Sequence, residues 1–153
     1  MDHLSTSKII SDHRINHILF TGSVSGGREV KKAIGTRFIG AGLELGGKDP
    51  AYVRSDCNFE HAVENLVDGS YFNSGQSCCG IERIYVDESI FDNFVEAFKI
   101  QTEKYNLDNP LDESTNLGPV VKLSAAKNIR NQVLKAINGG AKNIIDGSKF
   151  KKD

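Results

Sequence analysis

The sequence predicts an α/β fold with parallel strands. Short apolar runs suited to buried strands alternate with stretches whose apolar residues recur every three and four positions, the pattern of amphipathic helices. Glycine- and serine-rich turns separate them, and a longer irregular connection covers residues 105–121, with Asn109-Pro110, Asp112-Glu113 and Gly118-Pro119 as turn signals. The 153 residues are enough for a domain with a core of its own. With 19 basic and 20 acidic side chains the formal charge is -1, which argues against a nucleic-acid or membrane-surface protein held by bulk charge. The apolar runs are too short to span a bilayer, and the first residues show no signal-peptide pattern, so a soluble, intracellular chain is expected.

Taken in order, Leu4, Ile9 and Ile10 mark a short helix over residues 4–11, broken at Asp12-His13. Residues 15–20 read as a buried strand that runs into a turn at Thr21-Gly22-Ser23. A helix follows over 25–34, with Ser23 or Ser25 as its N-cap. A strand, a Gly/Ser turn and a helix N-terminus form an anion-binding geometry, because backbone N–H groups and the helix dipole converge there. The spacing Gly22-x-x-x-Gly26-Gly27 is neither the dinucleotide fingerprint G-x-G-x-x-G nor a P-loop, and on their own these glycines indicate turn chemistry.

Residues 38–45 form a second apolar run, interrupted by Glu44 and ended by Gly46-Gly47, and 50–53 a third strand. Asp56 or Asn58 caps a helix carrying Phe59, Ala62, Val63, Leu66, Val67 and Tyr71, which delivers the chain to Asn73-Ser74-Gly75-Gln76. Residues 80–86 alternate as a strand. Asp87-Glu88-Ser89 caps a helix whose stripe is Ile90, Phe91, Phe94, Val95 and Phe98. A helix over 123–138 presents Ala126, Ile129, Val133, Leu134 and Ile137 and ends at Gly139-Gly140. Residues 141–145 read as a last short strand, and the charged tail 148–153 is expected to fray.

Two residue types stand out chemically. The cysteines are Cys57, Cys78 and Cys79; the odd count argues against a disulfide framework, and with His3, His13, His17 and His61 they make no zinc-binding spacing. Cys78 follows a helix and a Gly-Gln turn, where exposed N–H groups favour a thiolate. The plain alternative, for Cys78 and Cys79 alike, is a small buried apolar side chain. Cys57 lies in a polar turn with no visible role. Glu44 sits between Leu43 and Leu45. Either it is buried, which raises its pKa and suits a general base, or strand alternation turns it to solvent.

Phe20-Thr21-Gly22-Ser23, then Leu43-Glu44-Leu45-Gly46-Gly47-Lys48-Asp49-Pro50, then Phe72-Asn73-Ser74-Gly75-Gln76-Ser77-Cys78 together resemble the aldehyde dehydrogenase superfamily, in that family's order. The separation of 34 residues between Glu44 and Cys78 (78 minus 44) fits the family's arrangement, as do Arg83, Asn109-Pro110-Leu111 and Leu117-Gly118-Pro119. The resemblance runs from about Ile9 to Gly147. It implies an aldehyde dehydrogenase-like α/β fold, with residues 1–46 the C-terminal part of a Rossmann-like NAD(P)-binding domain and 47–153 the N-terminal part of the catalytic domain. It implies NAD(P)-dependent oxidation of an aldehyde to a carboxylic acid. Cys78 matches the nucleophile that forms a thiohemiacetal and then a thioester, and its backbone N–H part of an oxyanion hole. Glu44 matches the base that activates the hydrolytic water. Members that pass the acyl group to coenzyme A usually lack this base, so hydrolysis to the free acid is expected.

Thr21, Gly22 and Ser23 match the turn beside the nicotinamide and pyrophosphate, Leu45 and Gly46 the backbone near the nicotinamide, and Gly26 and Gly27 the start of the cofactor-facing helix. NAD or NADP is the implied cofactor, and no metal is implied. The family carries a bulkier residue where Gly26 stands. Its members are also much longer than this chain, with an oxyanion asparagine and ribose-binding residues in segments that do not match it, so the chain is expected to be a central fragment. The alternative is a catalytically silent fragment that acts by association with full-length subunits. The implied partners are a small aldehyde and, for the full-length form, a homo-oligomer (dimer or tetramer), with no nucleic acid or membrane. A cytoplasmic location is expected, with a mitochondrial form left open. The apolar faces of strand 15–20 and helix 90–100 are expected to be incompletely covered.

Overall fold

A computed structural model describes residues 2–150. The chain forms two compact units that divide between Gly47 and Lys48.

The first unit runs α1 (His3–Ser11), β1 (His17–Gly22), α2 (Val24–Ile34) and β2 (Gly40–Leu45). Asp2 starts α1, its Oδ1 accepting from the Ser5 N–H at 2.7 Å. Arg37 closes the end of α1: its guanidinium donates to the carbonyl oxygens of Ile10, in the last turn, at 2.7 Å, and of Ile15, beyond it. β1 and β2 pair in parallel, with His17 opposite Gly40 and Gly22 opposite Leu45, joined by the crossover through α2. On one face Ile18, Phe20, Ala41 and Leu43 pack against Ile10, Val30 and Ile34 of the two helices. Each of those three buried side chains contributes about 1.5–3 kcal/mol relative to exposure. The other face carries Leu19, which is 82% exposed, so strand 15–20 is incompletely covered as expected.

The second unit runs β3 (Asp49–Val53), α3 (Phe59–Tyr71), β4 (Ile81–Val86), α4 (Phe91–Thr102) and α5 (Leu123–Asn138). Asn58 caps α3 by accepting from the His61 N–H at 3.2 Å. β3 and β4 pair in parallel with an irregularity between Asp49 and Pro50, where proline has no N–H to give. The core is Val53, Val63, Val67 and Phe94, with Ile84, Val86 and Phe98 around it. Phe59 meets Phe94 edge to face, with ring centroids 6.3 Å apart. Phe91 and Ile100 of α4 stay half exposed, while Phe94 is 3% exposed. α5 buries no residue completely.

Four expectations change. Thr21 and Gly22 continue β1 and leave Ser23 to start α2, because both still pair with β2. Asp87 caps a single 3₁₀ turn, Glu88–Ile90, ahead of α4, its Oδ1 accepting from the Ser89 N–H. Residues 141–145 form no strand; Asn143, Ile144 and Ile145 line a hollow of about 310 Å³ opposite Ile84, Val86 and Phe91, with no backbone ladder to join. In the tail, Asp146 caps a short 3₁₀ turn, Gly147–Lys149, so the stretch predicted to fray begins in ordered backbone, while residues 151–153 lie outside the described ones.

Candidate active site

The C-terminal end of β1, the start of α2 and the end of β2 bring most of the sequence-predicted positions together. Register places Thr21 opposite Glu44 and Gly22 opposite Leu45. Ser23 is the N-cap of α2, its Oγ accepting from the Gly26 N–H at 3.1 Å and lying 2.9 Å from Ser25 Oγ. Close approach explains the glycines here. A Cβ on Gly22 or Gly26 would come within 2.8 or 2.7 Å of the Phe20 ring, and one on Gly27 within 3.0 Å of Leu45. Without side chains at these positions the helix settles onto the strands over Phe20 and Leu45. Gly46 has nothing within 4 Å of where a Cβ would stand.

Glu44 is exposed, the second of the two placements the sequence left open. The cause is alternation: Leu43 packs with the helices and Leu45 reaches Gly27, so the residue between them points to the opposite face with its register partner Thr21.

In the second unit α3 ends at Tyr71 and the chain turns through Phe72–Gly75. Asn73 and Ser74 have φ of 51° and 58°, and Gly75 has φ of 73°, three left-handed residues in a row. Each non-glycine residue in this region costs about 1–2 kcal/mol, which the surroundings must offset. Gln76 Nε2 and its backbone N–H both donate to the Asn73 carbonyl, at 2.9 and 3.1 Å, while Asn73 Nδ2 donates to the Gln76 carbonyl at 3.1 Å. The irregular connection adds two ties: Ser74 Oγ donates to the Gly118 carbonyl, and Gln76 Oε1 accepts from the Val121 N–H at 2.8 Å. Leu107 and Leu117 form a parallel bridge within that connection. Beyond the turn, Cys78 and Cys79 are both exposed, and Cys79 Sγ lies 3.3 Å from Ser77 Oγ.

Sequence reasoning missed Ser74 and Gln76 as structural ties. The signal was the asparagine in Asn73-Ser74-Gly75, a residue that tolerates left-handed backbone. It also missed Cys57, which is half-buried and packs against the Val53–Phe94 core rather than standing idle in a turn. Among the described residues no three His, Cys, Asp or Glu side chains gather as a metal site, and no helix is long and apolar enough to cross a membrane.

A family model described as the aldehyde dehydrogenase family matches residues 2–153. Lactaldehyde dehydrogenase of Methanocaldococcus jannaschii is 38% identical over 144 residues, 94% of this chain and 31% of that protein. Among solved structures, glyceraldehyde-3-phosphate dehydrogenase GapN from the same organism, complexed with NADP, is similar with a TM-score of 0.88 at 38% identity, over 97% of this chain and 31% of that one. Betaine aldehyde dehydrogenase from Staphylococcus aureus in complex with NAD+ gives a TM-score of 0.85 at 32% identity, over 94% of this chain and 30% of that one. The chain thus spans 31% of the length of the first curated relatives it matches.

Proposed function

The chain belongs to the aldehyde dehydrogenase family, and on that premise we propose that it carries the nucleophile and the base of an NAD- or NADP-dependent oxidation of an aldehyde to a carboxylic acid. The observation that carries this reading is an exposed Cys78 placed directly after a strained, side-chain-braced turn. Strain of this kind collects where a group must be held in one place for chemistry.

In the proposed reaction the Cys78 thiolate attacks the aldehyde carbonyl carbon, and the carbonyl oxygen becomes an oxyanion and then the hydroxyl of a thiohemiacetal. The backbone N–H of Cys78 is one donor to that oxyanion. Loss of hydride from the same carbon, with loss of the hydroxyl proton, leaves a thioester on Cys78. Glu44 takes a proton from water, which attacks the thioester carbonyl; the acid leaves and the thiolate returns.

The residues of the first unit fit a nicotinamide dinucleotide. α2 opens from the carboxyl end of β1 behind the exposed hydroxyls of Thr21 and Ser23, and Gly46 leaves open space beside Leu45. Thr21, Gly22, Ser23, Gly26, Gly27, Leu45 and Gly46 would hold the cofactor, with Gly26 and Gly27 acting through the helix they let approach the strands. When bound, it supplies the hydride acceptor. On this reading residues 1–46 belong to the nucleotide-binding domain and 47–153 to the catalytic domain, with a cytoplasmic location and homo-oligomeric assembly of the whole enzyme.

Following reduced-cofactor absorbance with the 153-residue chain and a panel of short and aromatic aldehydes tests the reading. Cys78→Ala is expected to abolish any turnover that the chain shows; turnover that survives this substitution would exclude Cys78 as nucleophile.

A second reading is favoured by α5, where Ile129, Val133 and Leu134 are each 45% exposed or more. The chain would then be silent alone and act only in association with full-length subunits. Turnover by a strictly monomeric chain would eliminate it.

A further inference from the structure

The geometry points to Gln76 as a positioning residue for Cys78: its side chain clasps the left-handed turn to the backbone of Val121 and so sets where the thiol is presented. This rests on the reading of Cys78 as the nucleophile. Left-handed backbone at Asn73 and Ser74 persists only where its surroundings over-determine it. Gln76 does so from both sides. Its Nε2 holds the Asn73 carbonyl at 2.9 Å, within the turn. Its Oε1 receives the Val121 N–H at 2.8 Å, a contact 45 residues away in sequence. The half-buried amide thus joins two loops with one donor and one acceptor, and Cys78 lies two residues beyond it. Ser74 ties the same pair of loops through the Gly118 carbonyl but reaches only the turn itself. Without the Gln76 clasp the turn keeps its backbone bond, the Asn73 amide and the Ser74 tie, but the chain that carries Cys78 loses its link to Val121.

Competitive alkylation by iodoacetamide, with each thiol followed by fragment-ion mass spectrometry, tests this on the 153-residue chain. Cys57, half-buried against the core, reports in the same molecules whether the fold is intact. In the wild type Cys78 is expected to react faster than its exposed neighbour Cys79. Gln76→Met, which keeps the bulk and loses both bonds, is expected to lower the Cys78-to-Cys79 rate ratio about thirtyfold, the population change from losing two neutral hydrogen bonds. Gln76→Glu keeps the acceptor for Val121 but loses the donor to the Asn73 carbonyl, and is expected to recover only part of the lost ratio. A merely structural loosening would speed both thiols together and leave the ratio alone; that result, with Cys57 still protected, overturns the positioning role. Should Gln76→Met expose Cys57, Gln76→Asn, polar but one carbon too short to span the gap, is held to the same expected fall. A wild-type ratio of one overturns both the clasp and the nucleophile reading, whereas a wild-type preference unaltered by Gln76→Met overturns the clasp alone.

Discussion

Tyr71 closes α3 with its ring 6.2 Å from Phe98 and 5.7 Å from Tyr105, and burial pushes its hydroxyl above the ordinary tyrosine value of 10.0, against a smaller opposing effect of its hydrogen bond with Thr102. A group whose folded pKa is raised binds its proton more tightly when folded. Its contribution is therefore complete below the unfolded value near 10.0 and is lost as pH rises through the folded value. Chemical denaturation between pH 9 and 11.5 is expected to show falling stability across roughly that window, and Tyr71→Phe is expected to flatten the fall; an unchanged slope would place the effect elsewhere. Tyr105, raised by partial burial and by the Asp68 carboxylate, leaves some slope in that variant. Residue identities carried the site further than residue environments did. Cys78 and Glu44 stand out by type and spacing, but the exposure of Glu44 follows from which face of β2 meets α2, a fact of packing to which the sequence pattern left two answers. For Glu44→Gln the expected outcome is a rapid first release of reduced cofactor followed by turnover slowed about 10²–10⁴-fold, as for loss of a general base. Steady turnover at the wild-type rate would show that another group activates the water.

At the scale of elements, helices were legible because their apolar spacing and capping residues are local, as with Asn58 before α3 and Gly139 after α5. Strands depend on a partner. The apolar run 141–145 has strand-like residues but, among the described residues, no ladder to join, and it lines one side of a hollow opposite β4 and α4 instead. The left-handed turn was hidden in part: its bonds between Asn73 and Gln76 are local, but the two that tie it down come from Gly118 and Val121 far along the chain. α4 enters the core through Phe94, which is 3% exposed and meets Phe59 of α3 and Phe98 of its own helix. Phe94→Ala is expected to cost about 3–5 kcal/mol of stability in the second unit, read from denaturant unfolding. A loss under 1 kcal/mol would mean that this core is not packed as described.

Over the whole molecule, each unit has its own parallel strand pair, its own helices and its own core. The segment where they divide, Gly46-Gly47-Lys48, is exposed. Limited trypsin digestion is expected to cut first after Lys48, whose ion pair with Glu82 is half-exposed and adds little protection. First cuts inside α3 or α4 would contradict two separately packed units. The chain covers 31% of the related lactaldehyde dehydrogenase, and both proposed catalytic groups fall inside that third, one in each unit. Their joint role is tested most directly by trapping the acyl group. A Glu44→Gln chain, mixed with aldehyde and oxidised cofactor, is quenched in acid and its peptides are weighed. The expected result is an acyl mass on Cys78 that appears with the reduced cofactor and is removed by hydroxylamine. Reduced cofactor released with no acyl mass on Cys78, or with that mass on another residue, would contradict Cys78 as the nucleophile.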